Sequence, residues 1–224
     1  MAKCLGQLKN LKISNCQIME EIVRNEENID DMFDKLNRLE LYLLPNLARF
    51  TSGSYIKFLS LAYLVLVGCT KLETFIFGAK SGNITTNKEE RDIELFDEKV
   101  GFPSLDTLYI WDLPKLKTIF HNQLHSDSFG RLRIMDVRRC HSVINIFGPS
   151  IMGRLNTLES LEIEQCQSLQ VEYDTSSTTQ LNGFECPNLN SIEIDSCDSL
   201  KNVFPASVAK DLKQLSKLKV KNCG

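Results

Sequence analysis

Residues 158–169 read LESLEIEQCQSL, and residues 189–200 read LNSIEIDSCDSL. Both segments share the frame LxxLxLxxC. Its middle alternates apolar and acidic residues, so Leu161 and Ile163 share one side of a short strand while Glu162 and Glu164 share the other. The alternation lasts too briefly for an amphipathic helix, and a cysteine closes it at the same offset both times.

The frame recurs along the chain. Its inward pairs are Leu11/Ile13, Leu39/Leu41, Leu64/Leu66, Leu108/Ile110, Met135/Val137, Leu161/Ile163, Ile192/Ile194 and Leu218/Val220. Successive pairs are 28, 25, 44, 27, 26, 31 and 26 residues apart, and five of those seven intervals lie between 25 and 28. A strand followed by about twenty residues of return can set the next strand parallel beside it. No single repeat can bury its own apolar side, so the repeats must stack into one continuous core. The prediction is a solenoid with a parallel sheet of eight strands, roughly 34 Å across at about 4.8 Å per strand.

The frame and its period resemble the leucine-rich repeat. LNTLESLEIEQCQSLQ (155–170), CPNLNSIEIDSCDSLKNVFP (186–205) and FPSLDTLYIWDLPKLKTIF (102–120), with its Leu-Pro-Lys-Leu step, resemble in particular the repeats of plant intracellular coiled-coil, nucleotide-binding, leucine-rich-repeat (NLR) disease resistance proteins. The resemblance implies an α/β-type horseshoe whose concave face carries the sheet and whose convex side is irregular or made of short helices. It also implies recognition of a pathogen effector or a modified host protein, and a role in holding the receptor's other domains inactive.

Cys16, Cys69, Cys140, Cys166, Cys197 and Cys223 occupy the last position of the frame, where Leu44 and Leu113, each followed by a proline, replace cysteine in two repeats. Cys4 and Cys186 lie elsewhere. Buried free cysteine is a common core residue, so the column is expected to be a structural ladder whose thiols satisfy backbone groups of the next repeat. No CxxC pair occurs, and His121, His125 and His141 keep no zinc-finger spacing to any cysteines, so neither metal nor cofactor is expected. A second apolar series, Ile22-Val23, Phe50, Phe75-Ile76-Phe77, Ile119-Phe120, Ile146-Phe147 and Val203-Phe204, is expected to close the core on the far side.

The long intervals hold a charged insertion from Gly78 to Val100, whose tail residues Ile93, Leu95 and Phe96 are expected to dock back, and a Ser/Thr-rich loop over 172–183. Asn83-Ile84-Thr85 in the insertion is read as a chance glycosylation tripeptide. The 224 residues read as a single domain, with a repeat already under way near Leu8 and another cut at Gly224, as in a fragment of a longer receptor.

The remaining strand positions form the open face. After each inward pair come Ser14, Tyr42, Val67, Trp111, Arg138, Glu164, Asp195 and Lys221; between its members lie Lys12, Glu40, Val65, Tyr109, Asp136, Glu162, Glu193 and Lys219. Tyr42, Tyr63, Tyr109 and Trp111 beside Arg138 and Arg139 make the candidate protein-binding patch, because exposed tyrosine, tryptophan and arginine most often carry interface energy. Glu164 and Asp195, with Glu162 and Glu193, form an acidic stripe suited to a basic partner surface.

A net charge of -3 and a pI near 5.7 supply no positive field for nucleic acid or anionic membrane. Lysines interrupt the opening segment where a signal peptide would need its apolar run, and the expectation is a cytoplasmic location. No phosphate-binding loop, nucleophile elbow or HExxH motif is present, and the chain reads as non-catalytic. The competing function is a free-standing repeat scaffold, such as a substrate adaptor of a ubiquitin ligase. Open edge strands at both ends also leave edge-to-edge self-association as an expected contact.

Overall fold

The computed structural model describes residues 5–24, 32–76, 94–146, 151, 153–170, 186–203, 209–210 and 212–224. Each inward pair sits in a five-residue strand: β1 (Asn10–Ser14), β3 (Arg38–Tyr42), β6 (Tyr63–Val67), β9 (Thr107–Trp111), β11 (Ile134–Arg138), β12 (Ser160–Glu164), β13 (Ser191–Asp195) and β14 (Lys217–Lys221). They form one eight-stranded sheet in chain order, and every neighbouring pair is parallel. The register aligns equivalent positions: Leu11 faces Leu39, Leu39 faces Leu64, and Leu64 faces Leu108 across the 44-residue interval. The insertion therefore leaves the strand stack undisturbed.

Turns frame each strand on both sides. Three residues before the leucine that leads the frame, an apolar residue closes a tight turn, with the amide of Leu36 on the carbonyl of Phe33, Leu61 on Phe58, Leu132 on Phe129 and Leu189 on Cys186. After the strand the ladder residue does the same, with Leu47 on Leu44, Leu72 on Cys69, Leu116 on Leu113 and Leu169 on Cys166. Between strand and ladder, the residue following each strand adopts positive φ in all eight repeats: Asn15, Leu43, Gly68, Asp112, Arg139, Gln165, Ser196 and Asn222. Its amide donates to the last strand carbonyl of the next repeat, as Leu43 does to Val67 at 2.8 Å and Arg139 to Glu164 at 2.8 Å. The left-handed corner thus extends the sheet ladder by one bond while turning the chain inward.

Two rows of buried phenylalanines fill the space behind the sheet. Phe33, Phe58, Phe102 and Phe129 follow one another at 5.4 to 5.7 Å between ring centroids. Phe50, Phe75, Phe96 and Phe120 make the second row, at 4.9 to 6.2 Å. Edge-on contacts join the rows, Phe58 to Phe75 at 73° and Phe96 to Phe102 at 83°. Edge-to-face packing adds about 0.5–1.5 kcal/mol per pair beyond area burial. Phe50, Phe75 and Phe120 of the second row belong to the series expected from the sequence, and Phe96 joins them from the tail of the insertion. Cys186, which lies outside the ladder, occupies the position of the first row, three residues before Leu189.

Opposite the sheet, helical conformation occurs among the described residues at Ile151 and Ala209, in keeping with the expected short helices. Elsewhere on this side run short parallel ladders: β2 (Glu21–Val23) with β4 (Arg49–Thr51), β5 (Ile56–Lys57) with β8 (Val100–Gly101), and β7 (Glu94–Phe96) with β10 (Thr118–Phe120). Strand pairing here lets Phe50, Phe96 and Phe120 alternate into the core at the same spacing as the sheet. The tail of the insertion docks as expected, with Leu95 and Phe96 in the core. Ile93, the sequon, the body of the insertion, Phe77, Phe147, Phe204, Cys4 and the 172–183 loop lie outside the described residues.

The cysteine ladder is present, with Cys69, Cys140, Cys166 and Cys197 buried and Cys16 and Cys223 half-buried. Its direction corrects the expectation. Besides the carbonyl two residues back on their own strand, three buried thiols approach the preceding repeat: Cys69 Sγ lies 3.9 Å from the Leu41 carbonyl, Cys140 3.6 Å from Ile110 and Cys166 3.8 Å from Val137. The left-handed corner turns the side chain back under the strand already laid down. Burial pushes Cys69 and Cys197 up to about 11 and Cys166 and Cys186 up to about 12. These groups are neutral thiols, the inert form rather than the nucleophilic one.

Candidate functional site

Because the sheet is in register, its open face is a grid of three rows. Asn10, Arg38, Tyr63, Thr107, Ile134, Ser160, Ser191 and Lys217 make the first; the two rows described from the sequence make the others. The centre of the grid, on β6 and β9, is aromatic and aliphatic. Tyr63 and Tyr109 meet edge-on at 5.5 Å, and Tyr109 and Trp111 lie 5.6 Å apart, with Val65 almost fully covered. Partial burial raises the Tyr109 phenol above its usual range, so it remains a neutral hydroxyl.

Ion pairs border this centre on both sides. Toward the N-terminus, the Arg38 guanidinium lies 3.6 Å over the Tyr63 ring and 2.5 Å from Glu40, whose carboxylate also takes Lys12 at 3.6 Å. Lys12 in turn lies 5.1 Å over Tyr42. Toward the C-terminus, Trp111 Nε1 donates to Asp136 Oδ1 at 3.0 Å. Arg138 donates twice to Asp136, at 2.7 and 2.8 Å, and reaches Glu162 at 2.7 Å and Glu164 at 3.3 Å. The hydrogen bond to Asp136 holds the Arg138 guanidinium above the usual arginine range, against the effect of burial. A charge paired in this way costs less to cover with a partner than a bare one.

Tyr42, Tyr63, Tyr109, Trp111 and Arg138 are therefore assembled on one surface. Arg139 is not part of it: in the left-handed corner the period-2 alternation is broken, and its guanidinium pairs with Asp112 at 2.5 Å on the turn. Glu164 is tied to Arg138. Asp195, two strands beyond Arg138, accepts from Asn222 at 2.9 Å and Ser196 at 3.0 Å, which lowers its carboxyl below the ordinary range. Arg38 and Asp136 complete the surface and were not singled out as site residues; the register of Arg38 with Tyr63 is the signal that finds it.

A groove of about 220 Å³ between Arg138 and Lys221 is lined by Glu162, Glu164, Glu193, Asp195 and Lys219. It falls below the roughly 300–1,000 Å³ of small-molecule sites. Lys217 and Lys219 both hydrogen-bond Glu193 there, which brings its carboxyl down to about 2. No group of three or more His, Cys, Asp or Glu among the described residues is placed to hold a metal, and none of their helices is long and apolar enough to cross a membrane.

The family model for the leucine-rich repeats of RPS2-like plant disease resistance proteins matches residues 58–167 and 175–224, more than half of the chain. No curated protein and no solved structure matches it.

Proposed function

The chain belongs to the RPS2-like plant disease resistance leucine-rich-repeat family, and on that premise we propose that its open sheet face recognises a pathogen effector or a modified host protein inside the plant cell, without catalysing a reaction. The observation that carries this reading is the aromatic centre, Tyr63, Tyr109 and Trp111, bordered by paired charges. It matches the anatomy of an interface, an aromatic core inside a polar rim. Ring contacts limit the side-chain freedom that binding would otherwise freeze. The free state of the seven described cysteines suits a reducing compartment.

In this reading another domain of the same receptor covers the face at rest. The incoming protein competes for the ring cluster, and the receptor opens only to the extent that the partner's affinities for its two states differ. The test is a pull-down from infected and uninfected plant extract with the intact chain and with its Tyr63→Ala/Tyr109→Ala variant, both checked for native circular dichroism. A partner captured by the intact chain and lost by the folded variant supports recognition at the aromatic centre. A partner held equally by both overturns it.

A further inference from the structure

We infer that the partner of the open face is a protein surface of mixed polarity, which sets a carboxylate over β3, an apolar side chain over the aromatic centre, and a guanidinium or ammonium over β12. The inference rests on the aromatic centre being the recognition surface, and it adds the chemistry and the orientation of what is recognised there.

The two borders of the centre carry opposite surpluses of charge. On β1 and β3 two cations share one carboxylate: the exposed Lys12 and the half-exposed Arg38 both pair with Glu40, which is buried. On β11 and β12 three carboxylates share one cation: Arg138 pairs with the buried Asp136 and with the half-exposed Glu162 and Glu164. The strands between them bring no charge to the open face, with Tyr63, Val65 and Val67 on β6 and Thr107, Tyr109 and Trp111 on β9. A partner therefore meets a positive border, a neutral centre and a negative border.

The borders act separately. β3 and β12 are four strand spacings apart in the sheet, about 19 Å, which exceeds the screening length of about 8 Å at physiological salt. A guanidinium has five N–H donors, and Glu40 engages Nε and Nη2 of Arg38, so donors remain for an incoming carboxylate. Glu162 and Glu164 each give one oxygen to Arg138 and keep acceptor capacity for an incoming cation. The lysines of β14 leave the negative border in place: Lys219 and Lys221 stand beside Glu193 and Asp195, and Lys217 and Lys219 both pair with Glu193. A partner of a single sign would set like charges together at one border or the other, which disfavours it.

The probe is the peptide EEGLYLGRR, whose glutamate and arginine ends lie about 20 Å apart when extended, titrated into the intact chain beside the controls EEGLYLGEE and RRGLYLGRR. The expected result is binding of the mixed peptide at least about tenfold tighter than either control, a difference of about 1.4 kcal/mol. Its advantage over RRGLYLGRR should vanish in Arg38→Gln, and its advantage over EEGLYLGEE in Glu162→Gln/Glu164→Gln, each variant checked for native circular dichroism. A nitroxide on the arginine end reads the orientation on the intact chain alone, where broadening of the β12 amides is expected. Absent binding, advantages that survive both variants, or broadening confined to β1 and β3 would overturn the assignment. Equal binding of all three peptides that is lost in Tyr63→Ala/Tyr109→Ala would overturn the polarity and leave the aromatic centre standing as the recognition surface.

Discussion

The Trp111 indole N–H donates to Asp136 Oδ1 at 3.0 Å, and Asp136, on the open face of the sheet, is only 4% exposed. The carboxylate is covered because Trp111 on β9 and Arg138 on β11 close over it. One residue thus shapes the aromatic centre and anchors the ion-pair border.

Trp111→Phe keeps most of the ring and removes the donor. Asp136 retains both bonds from Arg138, so the expected loss is about 1.5–3 kcal/mol of stability by urea unfolding, the range for one bond to a charged group. Unchanged stability would show that water replaces the indole.

Arg138→Met removes the cation and leaves three carboxylates, Asp136, Glu162 and Glu164, without it. Breaking a fully buried pair on one side costs about 3–5 kcal/mol; because the Arg138 side chain is 33% exposed, the expected loss lies below that range, and the half-exposed Glu162 and Glu164 add little. Asp136→Asn in the same background should recover part of the loss, and a double-mutant cycle reads the coupling.

How much of this was legible in the sequence follows from where the periodicity holds. Leu161/Ile163 and the seven pairs like it are visible because alternation and repeat length coincide. The left-handed corner was not, since Gly68 is the one glycine among eight residues of every chemical kind. Arg139, grouped with the patch as the chain neighbour of Arg138, sits in that corner and pairs with Asp112 instead. Phe33, Phe58, Phe102 and Phe129 escaped because they precede the frame by three residues. β5 and β8 are two residues long and show no period at all. Of the site, the aromatic residues followed from chemistry and position, whereas the Arg38 and Asp136 contacts needed side-chain geometry.

At Gly68, φ is +66° and an added Cβ would lie 2.8 Å from Leu43 Cδ2. Gly68→Ala should cost about 1–2 kcal/mol for the left-handed conformation alone, plus the contact with Leu43. Because Leu43 is half exposed and flexible, Leu43→Ala should return the contact part and leave the backbone part. Thermal unfolding of the two single variants and the double variant separates them.

Burial raises the ladder thiols to about 11 for Cys69 and Cys197 and about 12 for Cys166, against about 8.5 in an unfolded chain. The folded state then keeps protons that the unfolded state loses, so stability is unaffected below the unfolded value and falls as pH rises between the two. Unfolding midpoints measured from pH 8 to 10.5 should drop. In Cys166→Ala the drop should be shallower by up to about 1.4 kcal/mol per pH unit. Identical slopes would mean the Cys166 thiol ionises as freely in the fold as outside it.

Hydroxyl-radical footprinting of the chain with and without its captured protein partner tests the central claim most directly, because the oxidised side chains are the ones proposed to make contact. The account predicts reduced oxidation at Tyr63, Tyr109 and Trp111 in the complex, with Tyr55, which lies outside the eight-stranded sheet, unchanged. Unchanged oxidation of those three rings, with protection at Tyr55 or along the turns instead, would contradict it.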